Sequence, residues 1–177
     1  KMLKNSQIRV FVGHSESAVK GADAVVFSSA IDENNPEILM AKKLKIPIFK
    51  RSQILGQILT KYKNSIAVSG CHGKTTTTSM VTEILMDAKK DPTITVGGML
   101  DIIGGNIRVG GSELFVLEAC EYTNSFLSFF PTIEVILNIE ADHLDFFNDL
   151  ADIQASFRKF AQLTPESGMI IANGADP

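Results

Sequence analysis

Cysteine is scarce in this sequence. Only Cys71 and Cys120 occur among 177 residues, with no CxxC spacing, which excludes a zinc-finger ligand set and a disulfide framework and suits two free thiols in a reducing compartment. Long apolar runs are missing too. None approaches the ~20 residues of a membrane span, and the opening "KMLKNSQ" lacks the charged, apolar and small-residue order of a signal sequence. A cytoplasmic location is the expectation. Positive charge is not in excess: 17 Lys and Arg are scattered against 20 Asp and Glu, for a net charge of -3, so no basic field exists for nucleic acid. Internal repeats and low-complexity tracts are also absent. What is present, 45% hydrophobic and 21% charged residues, is globular material able to bury a core as one domain or as parts of two.

Short apolar runs rich in Val, Ile and Phe alternate with amphipathic segments. Strands are expected in residues 8–12, 22–31, 46–49, 65–70, 93–98, 114–120, 133–139 and 168–174, each bounded by Gly, Pro or Asn. Helical spacing of apolar residues predicts helices over 36–45, 51–62, 74–90 and 150–164. Near-continuous apolar strands between helices imply a mostly parallel sheet covered on both faces, the α/β class. The first sixty residues hold only about three expected strands and no Gly-rich turn after the first of them, and "NGADP" follows directly on a strand. An internal piece of a longer protein is therefore expected, with a domain boundary near the polar "TKYKNS" (60–65).

The most informative stretch is "GCHGKTTTT" (70–78), between the strand "SIAVSG" and the helix "TTTTSMVTEILM". Strand, Gly-rich turn and helix form the setting of a phosphate loop. Glycines let backbone N–H groups face phosphate oxygens, the helix N-terminus adds partial positive charge, Lys74 can reach the β- and γ-phosphates, and the Thr75 hydroxyl can hold Mg²⁺. Against the GxxxxGK[ST] template the first glycine is displaced, since Val68 stands five before Gly73 and Gly70 only three before it. An ordinary Gly-rich turn capped by threonine would also satisfy this stretch. Four consecutive β-branched residues are poor helix formers, so their hydroxyls are expected to line the cradle or bond back to first-turn carbonyls.

Two further stretches can complete a nucleotide and metal centre. Glu118 ends the apolar run "LFVLEAC", and a carboxylate at the C-terminal end of a parallel strand points into the crevice where such sheets bind ligands. A solvated strand-end glutamate is the alternative. "NIEADHLD" (138–145) presents Asn138, Asp142, His143 and Asp145 just past another buried run. A lone histidine is usually structural, but one at a strand terminus beside carboxylates suits a metal or phosphate contact.

Together and in this order, "GCHGKTTTT", "LEACE" and "NIEADHLD" resemble the central ATPase domain of the Mur ligase family. The upstream "VGHSESAVKGADAVVFSSAIDENNPEILMAKKLKIPIFKRSQIL" is similar to the second half of the family's N-terminal domain. The resemblance implies an incomplete Rossmann-like N-terminal domain (1–62, the UDP-substrate side) followed by part of a P-loop-type, mostly parallel-sheet ATP-binding domain (63–177), with the C-terminal domain absent. It implies an ATP-dependent amide ligase of peptidoglycan precursor synthesis that uses ATP and Mg²⁺. Its small-molecule substrates would be UDP-N-acetylmuramate and L-alanine, and its intermediate an acyl phosphate. In that scheme Gly70, Cys71, His72, Gly73, Lys74, Thr75 and Thr76 hold the nucleotide. Lys74, Glu118 and His143 are catalytic, and Thr75, Glu118 and His143 ligate metal. His14, Ser28, Ser29, Glu121 and Asn138 lie toward the substrate. Two alternatives stay open: a relative that adds a peptide to the same nucleotide, and a non-catalytic nucleotide-binding module. Cys71 stands where the family usually has Thr and Cys120 where it usually has Asp. Neither Arg158 nor Lys159 is assigned the carbamylated-lysine role of sister ligases. This piece by itself is expected to be nearly inactive.

Overall fold

The computed structural model describes residues 8–175; the opening "KMLKNSQ" and the last two residues lie outside them. The chain divides into two compact units, residues 1–54 and 55–177. The division falls earlier than the polar stretch 60–65. Leu55 and Leu59, in the second half of a helix at Arg51–Leu59, belong to the hydrophobic core of the second unit, which polar content alone does not reveal.

In the first unit, β1 (Val25–Phe27) and β2 (Ile48–Lys50) pair in parallel through α1 (Pro36–Lys43). The start of α1 obeys local rules: the Asn35 side chain accepts the Glu37 N–H at 2.9 Å, and Pro36 occupies the first turn, where no N–H is needed. Two strand expectations fail here. Residues 8–12 form no strand, and Ile8, Val10, Phe11 and Val12 remain exposed because no described neighbour offers a ladder. The run 22–31 stops at Phe27, since Ser28 opens a turn closed by Ile31 N–H on the Ser28 carbonyl at 3.0 Å.

The second unit begins with most of α2 (Arg51–Leu59) and contains β3 (Asn64–Ser69), α3 (Lys74–Asp87), β4 (Thr93–Leu100), β5 (Gly105–Arg108), β6 (Leu114–Glu118), β7 (Ile133–Ile136), α4 (Leu150–Ala161) and β8 (Met169–Ala172). The sheet order is β5-β4-β6-β3-β7-β8, parallel throughout except for the β4–β5 pair. β5 was not expected: with Gly105 and an exposed Ile107, it carries no apolar run and owes its strand state to pairing with β4. α3 ends three residues short of the expected limit, followed by Lys89 and Asp91 at positive φ. β3 and β6 are buried at the centre, and a cluster around Phe115, Leu117, Phe126, Phe157 and Phe160 joins the sheet to α4. Phe126 stacks on Phe160 with ring centroids 4.5 Å apart and meets Phe157 edge-on at 5.2 Å, geometries that add to plain area burial. Among the described residues no helix is long and apolar enough to cross a membrane.

One buried group is out of keeping with this core. Glu134 on β7 is fully buried; Thr164 donates to its Oε2 at 3.1 Å, while Oε1 has no hydrogen-bond partner among the described residues. Burial pushes its carboxyl up to about 7, so the folded chain holds a proton there that the unfolded chain releases at lower pH. Folded stability is therefore undiminished by this group under acidic conditions and falls as pH rises from the ordinary glutamate value of 4.5 to about 7. The loss is on the order of 3 kcal/mol. Urea unfolding at about pH 5 and about pH 8 should show this slope in the wild type and its disappearance in Glu134→Gln.

Candidate functional site

β3 ends at Ser69 and the chain turns at Gly70, whose φ of 134° and position against Leu137 leave no room for a side chain: a Cβ would lie 3.0 Å from Leu137 Cβ. α3 then starts at Lys74 with Gly73 as its N-cap and no side-chain capping bond. Thr77 N–H to the Gly73 carbonyl, at 2.9 Å, is the first bond of the helix. The amides of Lys74, Thr75 and Thr76 are thus donors that the helix itself leaves open, an anion-binding arrangement. The threonine run now has a physical account. Thr78 donates to the Lys74 carbonyl and Ser79 to the Thr75 carbonyl, both at 2.8 Å, which satisfies these hydroxyls within the helix. Thr75 points elsewhere. Its hydroxyl donates to both Glu118 oxygens, at 3.1 and 3.0 Å. Thr76 is exposed in the first turn.

Glu118 closes β6 beside β4, where Gly97 N–H donates to its Oε2 at 2.7 Å. A Cβ on Gly97 would lie 2.9 Å from either carboxylate oxygen, so that glycine is what lets the carboxylate sit against the strand.

Lys74 folds inward. Its ammonium donates to the Gly70 carbonyl at 2.6 Å, the Cys71 carbonyl at 3.0 Å and Glu121 Oε1 at 3.0 Å. Glu121 is 1% exposed; its Oε2 also lies 3.0 Å from the ammonium yet makes no well-aligned hydrogen bond. His143 Nε2 is 3.6 Å from Glu121 Oε1 and 4.0 Å from Asp142 Oδ2. One ligand atom each of Glu121, Asp142 and His143 lie within 4.8 Å of one another, an arrangement that can hold a cation.

The segment after β7 closes the site. His143 adopts φ 51°, and its ring packs on Tyr122 with centroids 4.6 Å apart. The Tyr122 hydroxyl donates to Asp145 at 2.8 Å, and that bond holds the phenol above its ordinary pKa. Cys71 is buried and Cys120 half-buried; burial raises both thiols, so neither is an activated nucleophile.

Gly70, Cys71, His72, Gly73, Lys74, Thr75, Thr76, Glu118, Glu121, Asn138 and His143 thus gather at the C-terminal ends of β3, β6 and β7. His14, Ser28 and Ser29 belong to the other unit. There His14 Nδ1 lies 3.4 Å from Glu37, and Ser28 and Ser29 are exposed in the turn after β1. Gly97, Glu140 and Tyr122 were not anticipated. For Gly97 a signal existed, since a glycine inside a strand often marks a close approach; for Glu140 and Tyr122 none did.

The sequence profile of the Mur ligase middle domain matches residues 68–177, and that of the Mur ligase family catalytic domain matches residues 1–63. The chain belongs to the Mur ligase family. Similar curated relatives include the UDP-N-acetylmuramate--L-alanine ligases of Clostridium botulinum strain Okra, 52% identical over 98% of this chain and 38% of the relative, and of Acetivibrio thermocellus, 51% identical over 98% of this chain and 37% of the relative. The chain therefore spans less than two-fifths of the relatives it matches. Among solved structures, the UDP-N-acetylmuramate-alanine ligase of Thermotoga maritima superposes with a TM-score of 0.86 at 32% identity, over 98% of this chain and 40% of that one. The UDP-N-acetylmuramate:L-alanyl-gamma-D-glutamyl-meso-diaminopimelate ligase of Neisseria meningitides gives 0.87 at 28%, over 99% and 60%.

In this Mur ligase chain, removing one partner of the buried pair should cost far more than removing both. Glu121→Leu strands the Lys74 ammonium, which is 12% exposed, and should destabilise by about 3 kcal/mol. Lys74→Met combined with Glu121→Leu should recover much of that loss. Urea unfolding of the two single variants and the double variant measures the coupling.

Proposed function

We propose that this chain carries the nucleotide-handling part of an ATP-dependent carboxylate–amine ligase that joins L-alanine to UDP-N-acetylmuramate in peptidoglycan precursor synthesis. The observation that carries the reading is the convergence of Lys74, Thr75, Glu118, Glu121 and His143 at one end of a parallel sheet, in a chain about half identical to ligases of that name. Residues 63–177 are read as part of the ATP-binding domain and residues 1–62 as part of the UDP-substrate domain, with His14, Ser28 and Ser29 toward the uridine nucleotide.

The residues fit the implied ligands. Open amides at the start of α3 with Lys74 suit phosphate oxygens. The Thr75 hydroxyl, 3.0 Å from Glu118, pairs a neutral oxygen with a carboxylate as magnesium prefers, and His143 with Glu121 and Asp142 offers a second cation position. ATP supplies the phosphoryl group, and magnesium the positive charge that lets two anions approach. Lys74 neutralises and orients the transferring group, and His143 and Glu118 fix the cations. The gathered donors stabilise charge as it develops, which is most of what phosphoryl transfer needs. The substrate carboxylate would take the γ-phosphoryl group of ATP, releasing ADP, and the amine of L-alanine would attack the acyl carbon, expelling phosphate and losing a proton as the amide forms.

The intact protein should release phosphate from ATP only with UDP-N-acetylmuramate and an amine acceptor. Carboxylate ¹⁸O should appear in that phosphate. L-alanine, glycine, L-serine and a tripeptide are tested in parallel; preference for the tripeptide would shift the reading toward the peptide ligases, which the likeness to the Neisseria enzyme favours. No turnover with any acceptor, alongside intact ATP binding, would replace it with a non-catalytic nucleotide-binding module.

Lys74→Ala should lower turnover by at least about a hundredfold. Gly97→Ala should act differently. The atoms it meets are the far end of the flexible Glu118 side chain, so thermal stability should change little while the magnesium concentration for half-maximal activity rises several-fold.

A further inference from the structure

Asn138, expected toward substrate, uses its side-chain amide to bond the backbone of the loop after β3. His72 N–H donates to Asn138 Oδ1 at 2.8 Å, and Asn138 Nδ2 donates to the His72 carbonyl at 3.0 Å. One amide thereby saturates both backbone groups of a loop residue, as a neighbouring strand would. Cys71 N–H donates to the Asn138 carbonyl at 3.1 Å. The Cys71 thiol in turn donates to the Glu140 carbonyl at 3.3 Å and accepts the Glu140 N–H at 3.2 Å. His72 Nε2 lies 3.6 Å from Glu140 Oε2. Leu137 N–H donates to the Ser69 carbonyl at 3.0 Å, and a Cβ on Gly70 would lie 3.0 Å from Leu137 Cβ.

We infer that Asn138 and the Cys71 thiol are positioning residues that fasten the phosphate loop to the segment after β7, so that the loop and His143 move as one body. Two consequences follow from the bonds. The amides of Cys71 and His72 are spent on Asn138, so an anion is left the amides at the start of α3, and the strap sets where those amides point. The Cys71 thiol both donates and accepts, so its side chain closes the strap from the loop side. A thiol raised by burial stays protonated and able to donate.

The inference rests on the reading of residues 70–76 as the nucleotide loop, and the test separates the two. Binding of a non-hydrolysable ATP analogue to the intact protein is measured by calorimetry, together with steady-state kinetics. Asn138→Ala should weaken analogue binding by about tenfold, the scale of one or two lost hydrogen bonds. It should leave KM for the carboxylate substrate within about twofold. Amide exchange at His72 should quicken in this variant. Cys71→Val should weaken analogue binding in the same way, whereas Cys71→Ser, which keeps a donor and acceptor, should stay near wild type; this pair decides the matter if Asn138→Ala fails to fold. Unchanged analogue affinity with a raised substrate KM would overturn the inference and return Asn138 to the substrate. A wild-type protein that binds no nucleotide would overturn the functional reading itself.

Discussion

Parallel pairing of β3 with β6 on one side and β7 on the other is the constraint on which the rest of this molecule depends. Parallel strands end at the same edge of a sheet, and here the register sets the height of each end. Val68 lies opposite Glu118, and Ser69 opposite Ile136. Three segments far apart in sequence, 70–75, 118–121 and 137–143, consequently leave the sheet side by side. Four contacts of the site each span two of them: Thr75 with Glu118, Lys74 with Glu121, Glu121 with His143, and Asn138 with His72. Because β3 is hydrogen-bonded on both edges, none of the three ends can shift by a residue without turning buried side chains to the wrong face.

Burial then determines what those contacts are worth. Glu121 and Glu134 are both almost wholly removed from water. Glu121 meets the Lys74 ammonium at 3.0 Å, a partner that offsets its desolvation and makes each residue depend on the other. Among the described residues Glu134 has only the Thr164 hydroxyl, and it is held as the neutral acid up to about pH 7. Two buried glutamates, one just past β6 and one on β7, thus meet different partners. The cationic partner of Glu121 is the first residue of α3, which joins the electrostatics of the turn after β3 to those of the His143 segment.

Much of the fold was legible because its signals are local. The apolar runs of β3, β6, β7 and β8, the helical periodicity of α1 to α4 and the strand–turn–helix setting of 70–78 can all be read within a window of a few residues. The misreadings share a cause. Residues 8–12 look like a strand, but a strand exists only with a ladder partner; residues 105–108 do not look like one, and pairing with β4 makes them so. The compact units divide near residue 55, where Leu55 and Leu59 pack with the second unit, whereas the two family matches meet between residues 63 and 68, beside the polar stretch 60–65. Of the candidate site, Lys74, Thr75, Glu118 and His143 were visible as residue types at strand ends. Gly97 carried only the general signal of a glycine inside a strand, and Glu140 none, because backbone proximity gives them their roles.

The sequence by itself determined the α/β class, the phosphate-loop pattern and the family, since each is carried by residue type and spacing along one dimension. Only the tertiary structure decided how the residues are used. It turned Asn138 onto the backbone of His72, placed the Cys71 thiol between two groups of Glu140, and set Glu121 between Lys74 and His143. The reason is physical: a hydrogen bond or an ion pair depends on distance, angle and desolvation, and these exist only once the sheet has brought its three strand ends together.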